Sequence, residues 1–171
     1  IFDVFDYVMD RLRAYYQEAG VEFDLIDAVL ATRPTRLLDF DRRVQACRAF
    51  RRLPEAESLA AANKRIGNIL KKTDEDIPGK VDFAGLVDDA EKQLAEQLKH
   101  MNAAVIPLMD AGDYTAALRQ LAALRENVHA FFDRVMVMVD DEDIRDNRLA
   151  LLSELRALFL DIADISRLSI A

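Results

Sequence analysis

Apolar side chains recur three or four residues apart along most of this chain, which is the spacing of one face of an α-helix. The clearest stretch runs from about residue 142 to 167, where Leu151, Leu155 and Leu158 follow one line. Only 5 Gly and 4 Pro occur in 171 residues, fewer turn residues than a sheet protein of this length needs. The pattern predicts an all-α fold, a helical bundle of about seven to nine helices.

Glycine and proline mark several ends of the predicted helices. Gly20 ends the first helix, Pro34 stops the second, and Pro54 suits the first turn of the fourth. The predicted helices span about 1–18, 23–32, 35–52, 54–72, 85–101, 103–111, 113–127, 129–139 and 142–167. Residues 73–83 are acidic and contain a Pro-Gly turn signal, so we expect a loop there.

The length of the chain fits one helical domain over residues 1–171. The sequence opens in mid-pattern, with neither an initiator Met nor the layout of a signal peptide. We interpret it as a fragment of a longer chain. No apolar run reaches the roughly 18 residues that a membrane span requires.

Charge is distributed unevenly along the chain. The formal net charge is -8, which at face value argues against nucleic acid as a partner. Residues 33–72, however, carry 11 Lys and Arg against 4 Asp and Glu, and acidic segments flank this basic block. Because salt screens charges beyond about 8 Å, a ligand at the block responds mainly to the block itself. Nucleic acid therefore stays open as a partner.

No residue pattern predicts a catalytic centre. Cys47 is the only cysteine and lies on an apolar stripe, which favours a buried, unreactive thiol over a nucleophile and indicates a reducing compartment. His100 and His129 have neither metal-ligand spacing nor a serine or cysteine partner. The sequence also lacks a Gly-rich phosphate loop. We therefore expect no catalytic residue in this chain.

Each of two acidic runs could be a cation site, or it could be part of an ordinary helix end or loop. Residues 140–143 could offer oxygen ligands to a divalent cation, but they lack the glycine and ligand spacing of a calcium loop. We interpret Asp140 as the cap of the last helix and Asp143 as a partner of its dipole. Residues 74–76 are interpreted as a solvated loop. We expect no metal site.

The basic block places several side chains on common helix faces. On the predicted fourth helix, Lys64, Asn68, Lys71 and Lys72 follow the spacing i, i+4, i+7 and i+8, and Arg65 flanks them. On the third helix, Arg36 and Arg43 lie two turns apart, with Arg42 beside them. Such a face suits phosphate, and the Asn68 amide suits a base edge. The alternative is a solvated face whose arginines pair with Asp39, Asp41, Glu55 and Glu57.

Several long strings of this sequence resemble the beta subunit of bacterial glycyl-tRNA synthetase. They are residues 59–72 (LAAANKRIGNILKK), 24–59, 111–166 and the opening segment FDYVMDRLRAYYQEAG. The resemblance implies the C-terminal part of that subunit, a DALR-type helical domain like the anticodon-binding domain of class I aminoacyl-tRNA synthetases.

The resemblance also implies a role in a cytoplasmic glycine–tRNA ligase. In that family an alpha subunit carries the class II catalytic core, which uses ATP and magnesium to attach glycine to its tRNA. The intact enzyme is expected to be a tetramer of two alpha and two beta subunits. The present chain would need no cofactor of its own and would not form aminoacyl-tRNA alone.

With this resemblance, the basic block becomes a predicted contact with the anticodon stem-loop of the tRNA for glycine. Asn68 is a candidate for contact with a base. The predicted phosphate contacts are Arg42, Arg43, Lys64, Arg65, Lys71 and Lys72. The alternative function is a helical protein-interaction module that docks onto other synthetase domains or subunits.

Overall fold

A computed structural model describes residues 4–73 and 77–170, apart from the side chain of Phe5. Within these residues the protein contains eight α-helices and no β-strand, which confirms the predicted all-α fold. The helices are α1 (Val4–Glu18), α2 (Phe23–Leu30), α3 (Leu37–Phe50), α4 (Ala56–Lys72), α5 (Asp89–Asp110), α6 (Tyr114–Ala122), α7 (Arg125–Arg134) and α8 (Glu142–Leu160). Short 3-10 turns occupy Phe83–Gly85 and Ile165–Arg167. None of the described helices is long and apolar enough to cross a membrane.

The middle of the chain differs from the predicted helix boundaries. The two helices expected over 85–101 and 103–111 form the single helix α5, since Asn102 is exposed and its side chain does not compete with the helical backbone. This helix begins at a capping box, in which Asp88 and Glu91 each bond to backbone amides of the first turn. The predicted start at Gly85 is therefore wrong.

Two further boundaries depend on burial. The break between the helices predicted over 113–127 and 129–139 occurs earlier in the chain than expected. Helix α6 ends at Ala122 and α7 begins at Arg125, and Leu124 between them is fully buried. The last helix ends at Leu160 rather than near Arg167, because the chain turns there and the backbone amide of Asp164 donates to the carbonyl of Ala28, 2.8 Å away. That bond ties the end of the chain to α2.

The core is formed mainly by side chains of α2 to α8 and includes the fully buried Phe40, Phe50, Phe131 and Phe159. Cys47 is buried within it, and burial raises the pKa of its thiol to about 12. The prediction of a buried thiol is confirmed, and the raised pKa is in keeping with low reactivity.

Helix α1 buries only part of its apolar face. Tyr16 is buried, but Val8, two turns earlier on the same face, is 44% exposed. The reason is that α1 packs mainly against the short α2. With Leu37 and Leu38 at the start of α3, which are 57% and 63% exposed, α1 lines an apolar hollow of about 780 Å³. We call this hollow the α1–α3 groove.

Candidate nucleic-acid interface

Helix α4 carries the exposed basic face that its sequence predicts. Its inner side packs against α7, α8 and the last 3-10 turn, and Leu59 and Ile66 are buried there. The opposite side is solvent-exposed and carries Lys64, Arg65, Asn68, Lys71 and Lys72. We call these five residues the α4 basic face. The helical period alone brings them together, because the apolar positions fix which side of α4 turns inward.

The lysines of the α4 basic face are not neutralised by the described residues. Within 4–73 and 77–170, Lys64, Lys71 and Lys72 make no ion pair. The acidic residues 74–76, expected to form a solvated loop, lie outside the described residues. Like charges at helical spacing repel each other, so an anionic ligand that bridges them lowers the free energy of this surface.

Arg65 joins the basic face to helix α7. Its guanidinium carbon lies 4.2 Å from the centre of the Phe132 ring, the geometry of a cation–π contact. Arg65 and Ala61 line two adjoining hollows: one of about 440 Å³ beside Lys64 and Asn68, and one of about 500 Å³ between α4 and α7. Arg65 thus offers a flat, charged group at the border of both.

The structure places Arg43 inside the domain rather than on the basic face. Its Nε donates to Asp39 Oδ2 at 2.9 Å and its Nη1 donates to the carbonyls of Asp161 and Ile162 at 2.7 and 2.8 Å. The guanidinium also lies 4.4 Å above the ring of Tyr114, whose pKa is raised, chiefly by burial. Arg43 therefore fixes α3 to α6 and to the end of α8, and we leave it out of the proposed interface.

Arg42 is exposed but lies apart from the α4 basic face. It lines a hollow of about 300 Å³ with Arg36, Gly112 and Tyr114, and this hollow shares no residue with the two at α4. Gly112 has a φ of +70°, and an added Cβ would lie 2.4 Å from Arg42 Nη1. Glycine is favoured there by its backbone conformation, while the exposed Arg42 side chain could move to admit a Cβ.

The arginines at the end of α3 pair with acidic residues that precede the block in the sequence. Arg51 reaches Glu22 at 2.5 Å and Asp24 at 3.1 Å, and Arg48 lies 3.7 Å from Glu22. The sequence offered acidic partners within the block itself, and one of them, Asp39, accepts a hydrogen bond from Arg43. The basic block thus contains arginines that hold α2, α3 and α6 together, the exposed face of α4, and other exposed arginines such as Arg42 that belong to neither group.

The remaining polar candidates lie at the start of α8 and on the surface of α7. Asp141, not Asp140 as predicted, caps α8 by accepting from the amide of Ile144. No group of three or more potential metal ligands exists among residues 4–73 and 77–170. His129 pairs with Asp133 on α7, with 3.2 Å between Nε2 and Oδ2.

Sequence reasoning missed the contribution of α7 to the candidate site. Arg125, His129 and Phe132 line the hollow between α4 and α7. They lie some sixty residues beyond Arg65 in the sequence, and no local pattern connects them. Only the packing of α7 on α4 brings them together.

Comparison with known proteins places this geometry in a family. Residues 59–166 match the family described as the DALR anticodon binding domain, and the chain belongs to that family. It is similar to the "Glycine--tRNA ligase beta subunit" of Vibrio atlanticus (strain LGP32), with 57% identity over 97% of the chain. Proteins of the same name from Pseudoalteromonas translucida (strain TAC 125) and Aeromonas hydrophila are each 56% identical over 96% and 98% of the chain. The chain spans 24% of the length of these relatives.

Proposed function

We propose that this chain is the anticodon-binding domain of a glycine–tRNA ligase beta subunit and that the α4 basic face contacts the anticodon stem-loop. The observation that carries the proposal is the exposed row of Lys64, Lys71 and Lys72, which forms no ion pair with any residue that the structure describes. This row lies within the segment that matches the anticodon binding domain family. A cluster of Lys and Arg on one helix face of an otherwise acidic protein is a surface suited to binding a polyanion such as RNA.

The residues of this face have separate roles in the proposal. The lysine ammonium groups bind backbone phosphates as point charges, while the Arg65 fork can hold a phosphate oxygen or stack on a base. Asn68 lies between them and offers both a donor and an acceptor to a base edge. Because anticodon loops are single-stranded and splay their bases, phosphate contacts and stacking are expected together.

The chemistry of the whole enzyme is a further part of the proposal. On the basis of the family resemblance, we assign amino-acid activation to an alpha subunit that holds ATP and magnesium. In this arrangement two alpha and two beta subunits form a cytoplasmic tetramer. The contribution of the present chain is to bind and position the tRNA for glycine.

A second candidate function, protein docking, is favoured by the α1–α3 groove. Val8, Tyr15, Leu37 and Leu38 line it, and all are exposed. Contiguous exposed apolar surface rimmed by polar side chains marks protein interaction sites. The α1–α3 groove shares no lining residue with the hollows beside α4, so protein docking and tRNA binding are compatible.

A salt titration of tRNA binding tests the proposed function. If Lys64, Arg65, Lys71 and Lys72 each neutralise one phosphate, log K should fall against log salt with a slope of about -3 to -4. Fluorescence anisotropy with a labelled glycine tRNA measures both affinity and slope. Absence of binding at low salt, combined with a stable complex between this chain and the alpha subunit, would contradict the proposal and favour the protein-docking function.

A further inference from the structure

We propose that the hollow between α4 and α7 binds one unpaired nucleobase that carries an exocyclic amine, as cytosine, adenine and guanine do. This inference rests on the proposed function and adds a base-reading site to it. The hollow has a volume of about 500 Å³, within the range of small-ligand sites. Its floor is apolar, formed by Leu59, Ala62 and Val128, and its rim is polar. We call it the α4–α7 pocket.

One wall of the α4–α7 pocket is a stacking surface. Arg65 lies 4.2 Å above the ring of Phe132, and Phe132 packs edge to face on the buried Phe131, with 5.5 Å between ring centres. This chain of contacts holds the Arg65–Phe132 pair in place before any ligand arrives. A base splayed out of a loop can stack on an aromatic ring or an Arg plane, and both are present on this wall.

Carboxylates on the rim supply the means to distinguish one base from another. Glu126 and Asp133 line the pocket and are exposed. His129 Nε2 lies 3.2 Å from Asp133 Oδ2, and Asp133 Oδ1 accepts no hydrogen bond from a described residue. An ionised carboxylate only accepts hydrogen bonds, so it attracts the exocyclic amine of cytosine, adenine or guanine, whereas uracil has no such amine and presents keto oxygens that the carboxylate repels. We assign Asp133 as the residue that reads the amine.

The α4–α7 pocket lies next to the α4 basic face, which in the proposed function binds the anticodon stem-loop. Arg65 and Ala61 line both this pocket and the hollow next to Lys64 and Asn68. A strand whose phosphates contact the α4 basic face can therefore turn a base over Arg65 into the pocket. Phosphate binding would then occur on the α4 basic face and depend on charge, while base binding would occur in the adjacent pocket and depend on shape.

Two uncharged substitutions test the stacking site without altering the charge of the surface. Ala62→Leu fills the pocket, and Phe132→Leu removes the aromatic ring. Each should weaken binding of the glycine anticodon stem-loop about tenfold and leave the salt slope unchanged, because no phosphate contact is lost. Ala103→Leu on the exposed side of α5 is the matched control, and it should bind as the wild type does.

The base-reading role of Asp133 is tested with stem-loops in which each cytosine of the anticodon loop is changed to uracil, one at a time. The wild type should prefer cytosine about tenfold at one position, and Asp133→Ala should lose that preference. Loss of binding on substitution of the α4 lysines, with wild-type binding by both Ala62→Leu and Phe132→Leu, would overturn the pocket and leave the proposed function standing. The same cytosine preference in the wild type and Asp133→Ala would overturn the assignment of Asp133. No binding of any stem-loop by the wild type would overturn both proposals.

Discussion

Replacing Lys64, Lys71 and Lys72 together by alanine should weaken binding of the glycine tRNA at least 100-fold and reduce its salt slope by about two to three. Each lysine contributes a charge-assisted phosphate contact, and one such contact accounts for about a tenfold change in affinity. Each lost contact also removes about 0.7 to 0.9 from the slope. Because all three side chains are exposed and unpaired among the described residues, their removal should leave the fold intact. Anisotropy titrations at several salt concentrations measure both quantities.

A matched control separates this local effect from the overall charge of the chain. Lys80, Lys92 and Lys99 are also exposed but lie outside the basic block, where Lys92 pairs with Asp89 and Lys99 lies over the ring of Phe83. Their triple replacement by alanine changes the net charge by the same amount. It should reduce affinity by less than about threefold. Equal losses in the two triple variants would contradict a binding site on α4.

Replacing Arg148 by alanine should destabilise the domain by about 3 to 5 kcal/mol. Its Nε donates to Glu91, and the side chains of the pair are only 11% and 1% exposed. Arg148 also donates to the carbonyl of Met136 at 2.7 Å, which holds the segment after α7 against α8. Without the guanidinium, the buried carboxylate of Glu91 loses its counterion, and leaving this desolvated group without its partner is the source of the cost. Urea unfolding followed by circular dichroism measures the change.

The control for this prediction is the exposed pair of Lys92 and Asp89, which lie 3.9 Å apart near the start of the same helix. Lys92→Ala should change the free energy of unfolding by less than about 0.5 kcal/mol, since solvent screens exposed pairs. A loss below about 1 kcal/mol for Arg148→Ala would show that Glu91 is satisfied by the amides of Val87 and Asp88 alone, at 2.9 and 3.2 Å.

Much of the fold was predictable because the helical period and the local end signals agree. Leu151, Leu155 and Leu158 are buried along α8 as their spacing predicts, and Gly20 follows α1 with a φ of +77°. Boundaries without a local signal were not predictable. The break at Leu124 follows from burial against the core, and α5 runs through Asn102 because nothing at that surface favours ending it.

The candidate site was predictable to the extent that it lies on one helix. The period of α4 is sufficient to group Lys64, Asn68 and Lys71 on an exposed face. The internal role of Arg43 depends on Tyr114 and on two carbonyls at the end of α8, all distant in the sequence. The same limit applies to Phe132, which only the tertiary packing of α7 places against Arg65.

The most direct test of the central claim is a hydroxyl-radical footprint of the glycine tRNA bound to this chain. The account predicts protection of the backbone in the anticodon stem-loop, and loss of that protection with the Lys64, Lys71 and Lys72 triple alanine variant. Protection confined to the acceptor arm, or anticodon protection that persists unchanged in the triple variant, would contradict it.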